Sequence, residues 1–160
     1  MSIVTDFAGN IYVTGETQGG MDGNTNAGSG DAFVAKYNSA GERQWQWTKQ
    51  FGTPKYDCLC GVATDSIGNI YVVGWTEGGL DGNTNAGESD AFAVKFNPAG
   101  EKQWTRQFGT PGSDEAIGIV TDAKGNIYVV GDTYGGLDGN TNAGGRDAFI
   151  VKFNSAGEKQ

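Results

Sequence analysis

The sequence predicts an all-β fold of the β-propeller class, whose blades are four-stranded antiparallel meanders. Gly-Asn-Ile-Tyr-Val recurs at Gly9, Gly68 and Gly125, at steps of 59 and 57 residues. Each repeat contains short apolar runs separated by Asp, Asn and Gly turn signals, a pattern typical of consecutive antiparallel strands. No segment shows a helical period with caps. A four-stranded unit at this spacing favours a propeller blade, and a linearly stacked β-solenoid is the alternative.

The strands of one unit can be placed in order. A short apolar run at 116–121 predicts a buried first strand, and the turn at 122–126 leads to a second strand at 127–131. A long polar loop precedes the third strand at 148–153. The run 102–108 alternates in polarity, which predicts a fourth, outer strand with one solvated side.

We divide the chain into one domain of three blades, approximately 1–57, 58–114 and 115–160, and expect the last outer strand to be missing. The first unit has two extra residues near Trp45. Our alignment places Trp45 and Trp104 at one position of the outer strand, where we expect packing between blades.

Three motifs recur along the chain and carry a family resemblance. They are Asp-Ala-Phe-x-x-Lys-(Tyr/Phe)-Asn, Ala-Gly-Glu-x-Gln and Thr-Asp-x-x-Gly-Asn-Ile-Tyr-Val, with Phe-Gly-Thr between them. Together they resemble the bacterial β-propeller repeat family SBBP over essentially the whole chain. The resemblance implies four-stranded blades, implies no enzymatic activity, and commonly implies secreted or cell-surface proteins. No signal peptide is visible after Met1, so the compartment stays open.

Three blades are fewer than the four to eight of typical closed propellers. An open stack would expose two apolar blade faces and an unpaired strand edge. We therefore expect a homodimer that closes a six-bladed ring by self-assembly. The alternative is that the chain is an excised or engineered piece of a longer propeller.

The most regular motif is a polar loop, Asp-Gly-Asn-Thr-Asn-Ala-Gly, which occurs in all three units. Its Asp-x-Asn-x-Asn spacing resembles the start of calcium-binding loops, with a further Asp at the tenth position. The candidate Ca²⁺ ligands are Asp22, Asn24, Asn26, Asp31, Asp81, Asn83, Asn85, Asp90, Asp138, Asn140, Asn142 and Asp147. The alternative is a loop without a cation, in which the Asp and Asn side chains cap their own backbone.

Two positions beside each polar loop differ between the repeats and are candidates for ligand binding. They are Glu16, Trp75 and Asp132 at the first position, and Gln18, Glu77 and Tyr134 at the second. An aromatic ring beside carboxylates and amides suits a sugar, so a glycan-binding lectin is the alternative function, with or without calcium. Unselected variation at exposed positions explains the same pattern.

Composition argues against several function classes. The chain contains no His, which excludes a Ser-His-Asp triad, and no phosphate-binding loop of the Walker type is present. We expect no enzyme, although a glycoside hydrolase using loop carboxylates is the remaining catalytic alternative. The net charge of −8 disfavours nucleic acid, and no apolar run is long enough to span a membrane. A structural or protein-binding scaffold is therefore the expected function, and Cys58 and Cys60 are expected to be free thiols.

Overall fold

The computed structural model describes residues 1–160, apart from the side chain of Trp45. The described residues form three antiparallel sheets, which we call blades 1, 2 and 3. Blade 1 contains β1 (Ser2–Thr5), β2 (Ile11–Thr17), β3 (Asp31–Tyr37) and β4 (Lys49–Phe51). Blade 2 contains β5 (Asp57–Thr64), β6 (Ile70–Thr76), β7 (Asp90–Phe96) and β8 (Lys102–Phe108). Blade 3 contains β9 (Asp114–Thr121), β10 (Ile127–Thr133) and β11 (Asp147–Phe153).

These meanders confirm the all-β prediction, and blade 3 has three strands where blades 1 and 2 have four. Each strand pairs with the next one along the chain, so every blade is an uninterrupted meander. The first strands of the three blades lie side by side, with β5 between β1 and β9. Thr121 Oγ1 donates to the Thr64 carbonyl at 2.9 Å, which links β9 to β5. The helical elements in the described residues are single 3₁₀ turns at Trp45–Trp47, Leu80–Gly82 and Leu137–Gly139.

An aspartate organises the turn between the first two strands of each blade. In blade 2 the Asp65 carboxylate accepts the backbone N–H groups of Ile67 and Asn69, at 3.1 and 2.9 Å. It also accepts the Asn69 amide at 2.7 Å and the Tyr71 hydroxyl at 2.9 Å. Asp6 and Asp122 make the same four contacts in blades 1 and 3. The repeated Asp-x-x-Gly-Asn-Ile-Tyr motif is therefore a hydrogen-bonded turn.

The hydrophobic core lies between the blades. We call the side of a blade that packs on the following blade its forward face, and the side that packs on the preceding blade its receiving face. The forward face of blade 1 buries Tyr12, Ala32 and Val34. The receiving face of blade 2 buries Ile70, Val72, Leu80, Val94 and Phe96 against it. The next contact repeats this arrangement: Tyr71, Val73, Ala91 and Ala93 pack on Ile127, Val129, Leu137, Val151 and Phe153.

The outer strand also connects neighbouring blades. Trp104 Nε1 donates to the Ser155 carbonyl of blade 3 at 3.3 Å, as expected for packing between blades. In blade 1 it is Trp47 that makes the equivalent contact, to the Pro98 carbonyl of blade 2 at 3.2 Å. Our alignment of Trp45 with Trp104 is therefore wrong, because the 3₁₀ turn Trp45–Trp47 takes up the two extra residues before the tryptophan. The predicted packing of the Trp45 side chain lies outside the described part of the chain.

Candidate functional site

The polar loop of each blade begins with an aspartate in the left-handed backbone region. Asp81 has φ 51° and is followed by Gly82 with φ 82°. Asp and Asn tolerate this region better than other non-glycine residues, because their short side chains bond locally. Here Asn83 Nδ2 donates to the Leu80 carbonyl at 2.7 Å and caps the turn. Asp22 with Asn24 and Asp138 with Asn140 repeat the geometry in the other blades.

The first carboxylate of each loop is directed to its own blade's outer edge. Asp81 accepts Lys102 Nζ at 2.7 and 2.8 Å and the Thr105 hydroxyl. Burial raises the pKa of Asp81, but the hydrogen bonds from Lys102 and Thr105 outweigh it, and the net pKa lies below its ordinary value. Asp22 likewise meets Arg43 at 2.8 Å and Thr48, and Asp138 meets Lys159 at 2.5 Å. A basic side chain therefore faces each of these three carboxylates.

The remaining loop positions bond to the loop backbone. Asn85 Oδ1 accepts the Gly87 N–H at 2.7 Å, and Asp90 Oδ2 accepts the Ala86 N–H at 3.0 Å. Asn26 with Asp31 and Asn142 with Asp147 do the same in the other blades. The loops thus contain the contacts expected of the alternative to calcium binding, in which Asp and Asn side chains cap their own backbone. Within the described residues, no three acidic or Cys side chains are grouped as a metal site, so a loop cation would also use amide and backbone oxygens. Calcium in these loops stays a prediction.

The tenth-position aspartates of blades 1 and 2 lie at the junctions with the following blades, where each meets a second aspartate. Asp31 of blade 1 and Asp57 of blade 2 are both 0% exposed. Asp90 and Asp114 form the equivalent pair between blades 2 and 3, at 1% and 0%. We call each pair a junction carboxylate pair. Sequence reasoning missed Asp57 and Asp114, although Phe-Gly-Thr-Pro-x-x-Asp recurs at Phe51–Asp57 and Phe108–Asp114 and could have identified them.

The variable positions beside the loops are only partly brought together. Tyr56 stacks on Trp75 with ring centroids 5.3 Å apart and 24° between the planes, and its hydroxyl donates to the Glu16 carboxylate. That hydrogen bond, with burial as the second cause, raises the pKa of Tyr56 to about 12. Asp132 instead pairs with Arg146 on its own blade. Glu16 and Trp75 therefore form a contact between blades 1 and 2 through Tyr56, which sequence reasoning did not include.

The second variable positions contribute mainly backbone contacts. The Gln18 carbonyl accepts Asn26 Nδ2 at 2.7 Å, and the N–H groups of Glu77 and Tyr134 donate to the carbonyls of Tyr56 and Ser113. The Tyr134 side chain is 55% exposed. Glycan binding at these positions stays a prediction that a glycan array would test.

The two cysteines are free and half-buried on the first strand of blade 2. The described residues include no helix with the length and apolar character needed to cross a bilayer.

Comparison with known proteins places these features in a family. The profile of the β-propeller repeat family SBBP matches residues 2–20, 46–81 and 103–138, more than half of the chain. The regulatory protein FlaEY of Caulobacter vibrioides is 27% identical over 98% of this chain, which spans 18% of that protein. An uncharacterised WD repeat-containing protein of Acanthamoeba polyphaga mimivirus is 27% identical over 85% of this chain, which spans 11% of it. The chain thus spans less than a fifth of the length of either relative. On the profile match, it belongs to the SBBP β-propeller repeat family.

Proposed function

We propose that this chain is a non-catalytic β-propeller module, a scaffold that completes its ring by packing against a second copy of itself. The observation that carries the proposal is that its two terminal faces are the two halves of an interface already formed twice within the chain. The repeated sheets, the family and the relatives support a repeat scaffold.

The forward face of blade 3 is uncovered. Its Val130 and Ile150 are 44% and 69% exposed, whereas the equivalent Val73 and Ala93 of blade 2 are 0% and 1% exposed against blade 3. These residues are apolar at an edge where a further blade would bury them. Exposed apolar surface of this kind favours association.

The receiving face of blade 1 is uncovered in the complementary way. Ile3 is 68% exposed, while its equivalent Val62 in blade 2 is 7% exposed. This face also contains Ile11, Val13, Met21 and Tyr37, which are half-buried, whereas the corresponding Ile70, Val72, Leu80 and Phe96 are buried. Its Ala35, at the position of Val94, is already buried. A second copy offers a matching forward face, and two head-to-tail contacts related by a two-fold axis close six blades.

Size-exclusion chromatography with light scattering tests the proposal directly. We expect a mass twice that of the 16.7 kDa chain at micromolar concentration. Ile150→Asp places a charge in the proposed contact and should give a monomer. Ile67→Asp is the matched control, because Ile67 is 76% exposed in a turn outside both faces. A wild-type monomer, or a control variant that dissociates equally, would contradict self-assembly.

A further inference from the structure

The junction carboxylate pairs place two acidic groups from consecutive blades against one glycine. The Cβ position of Gly52 is 2.6 Å from Asp31 Oδ1 and 2.8 Å from Asp57 Oδ2. Gly109 stands in the same relation to Asp90 Oδ1 and Asp114 Oδ2. The two carboxylates of a pair therefore lie against the same point of the backbone, where there is room for them only because glycine has no side chain.

Each pair is surrounded by hydrogen-bond donors of the kind that stabilise a carboxylate ion. Asp57 accepts the Thr53 N–H at 2.6 Å, the Thr53 hydroxyl at 3.1 Å and the Thr76 hydroxyl at 2.5 Å. Asp31 Oδ2 accepts the Ala27 N–H at 2.9 Å and Gln50 Nε2 at 3.0 Å. The two carboxylates of this pair therefore accept five hydrogen bonds in all.

Each pair nevertheless contains at least one carboxylate oxygen without a hydrogen-bond partner. Among the described residues, the buried side-chain oxygens that accept no hydrogen bond are Asp31 Oδ1, Asp90 Oδ1 and Asp114 Oδ1. The ion pairs in the described part of the chain involve other aspartates, namely Asp22, Asp81, Asp132 and Asp138. Two buried negative charges without a counter-charge are costly, because the protein interior solvates ions poorly.

We propose that each junction carboxylate pair binds a hard divalent cation of the calcium type, which joins consecutive blades. Hard cations take oxygen ligands from carboxylates, amides and backbone carbonyls, and two carboxylates neutralise one divalent ion. This site shares Asp31 and Asp90 with the predicted polar-loop site, but it adds Asp57 and Asp114 and spans two blades. Burial, with the neighbouring Asp31 charge as a smaller cause, raises the pKa of Asp57 against the effect of its hydrogen bonds, and a bound cation would reverse that shift.

The test begins with the wild-type chain, stripped with a chelator and then loaded with calcium or magnesium. We expect two tightly held ions per chain by elemental analysis after desalting, and a Tm higher by roughly 5 °C than in the chelator. Wild-type protein that retains no ion and melts identically in both buffers overturns the proposal, whatever the variants do.

Single substitutions then separate the junctions from the loops. Asp57→Asn and Asp114→Asn keep the side-chain shape and should each remove one bound ion and about half of the shift in Tm. Asp22→Asn and Asp81→Asn are the matched controls in the polar loops and should retain both ions. Ions lost in the loop variants but kept in the junction variants would assign calcium to the loops and overturn the junction site. A Tm that does not change with metal ions but rises on mild acidification would also overturn the junction site, since the two carboxylates would then share a proton.

Discussion

At the scale of single residues, close approach between backbone segments decides which side chains are tolerated. The strand β5 pairs with β6 with a shift in register between Leu59 and Gly61. This irregularity brings the Cys58 carbonyl onto Gly74, so that a Cβ at Gly74 would collide with it. Gly131 meets the Glu115 carbonyl in blade 3 in the same way. Gly74 and Gly131 are therefore required by a local bulge in the neighbouring strand.

Gly74→Ala should lower the free energy of unfolding by about 2 kcal/mol or more, because the methyl group must displace a backbone carbonyl. Chemical denaturation followed by fluorescence measures the change. Gly19→Ala is the control, since nothing lies within 4 Å of its Cβ position, and we expect a change within about 0.5 kcal/mol. Equal effects of the two substitutions would argue against the collision.

Tyr56 should titrate unusually late, because its hydroxyl donates to the Glu16 carboxylate and its pKa is raised to about 12. Its folded pKa lies above the ordinary value of 10.0, so its contribution to stability is present below about pH 10 and is lost as pH rises through 12. Phenolate absorbance of the wild type minus that of Tyr56→Phe isolates this residue. A difference spectrum that titrates near pH 10 would mean that the contact with Glu16 does not form in solution.

At the scale of elements, the aspartate turns define the repeating unit. Each turn uses one carboxylate to accept two backbone N–H groups, an amide and a tyrosine hydroxyl within six residues of chain. These contacts are local, so they form from the motif itself and position the second strand against the first. The buried tyrosine then reaches the forward face of its blade, as Tyr71 does.

Asp65→Asn should destabilise the protein by roughly 1–3 kcal/mol at neutral pH, because an amide nitrogen cannot accept the hydrogen bonds that the carboxylate now accepts.

Burial raises the pKa of Asp65, but the hydrogen bonds from Asn69 and Tyr71 outweigh it, and the net pKa is lowered. Stability from this group is therefore present above the unfolded pKa near 3.8 and is lost as pH falls through the lower folded pKa. The variant should lose less stability than the wild type between pH 5 and about 2, as measured by denaturant midpoints. Glu88→Gln, at an exposed position, should follow the wild-type curve.

At the scale of the whole molecule, the blades are held together by apolar faces that repeat. The cluster between blades 1 and 2 and the cluster between blades 2 and 3 use equivalent positions. Each interface also contains one junction carboxylate pair and one tryptophan that donates to the next blade. A single pattern of contact therefore accounts for the stacking of all three blades.

If two copies close one ring, stability should depend on protein concentration, because folding and association are then linked. We expect the wild-type Tm to rise measurably between about 1 and 100 µM, and the Tm of Ile150→Asp to stay constant over that range. Differential scanning fluorimetry at several concentrations measures both. A wild-type Tm that does not change with concentration would count against the two-chain ring.

The residues show why part of this architecture was predictable. The motifs around Gly68 and Asp81 specify turns through hydrogen bonds that span two to six residues, and the alternation of apolar residues specifies the strands between them. The sequence alone therefore yielded the blades, their order and the family. It also identified the polar loop, but left open whether its side chains face a cation or their own backbone, since Asp and Asn serve both roles.

Contacts between blades were decided only by the tertiary structure. Asp31 and Asp57 are in different motifs, and nothing in either motif states that both carboxylates are buried against Gly52. The same holds for Tyr56, whose ring joins Glu16 to Trp75, and for Trp47, which takes the position we had assigned to Trp45. Turns and strands follow from neighbours along the chain, whereas burial at a junction depends on how two sheets pack. The same residue type, aspartate, therefore lies in an exposed turn or in a buried pair according to what packs beside it.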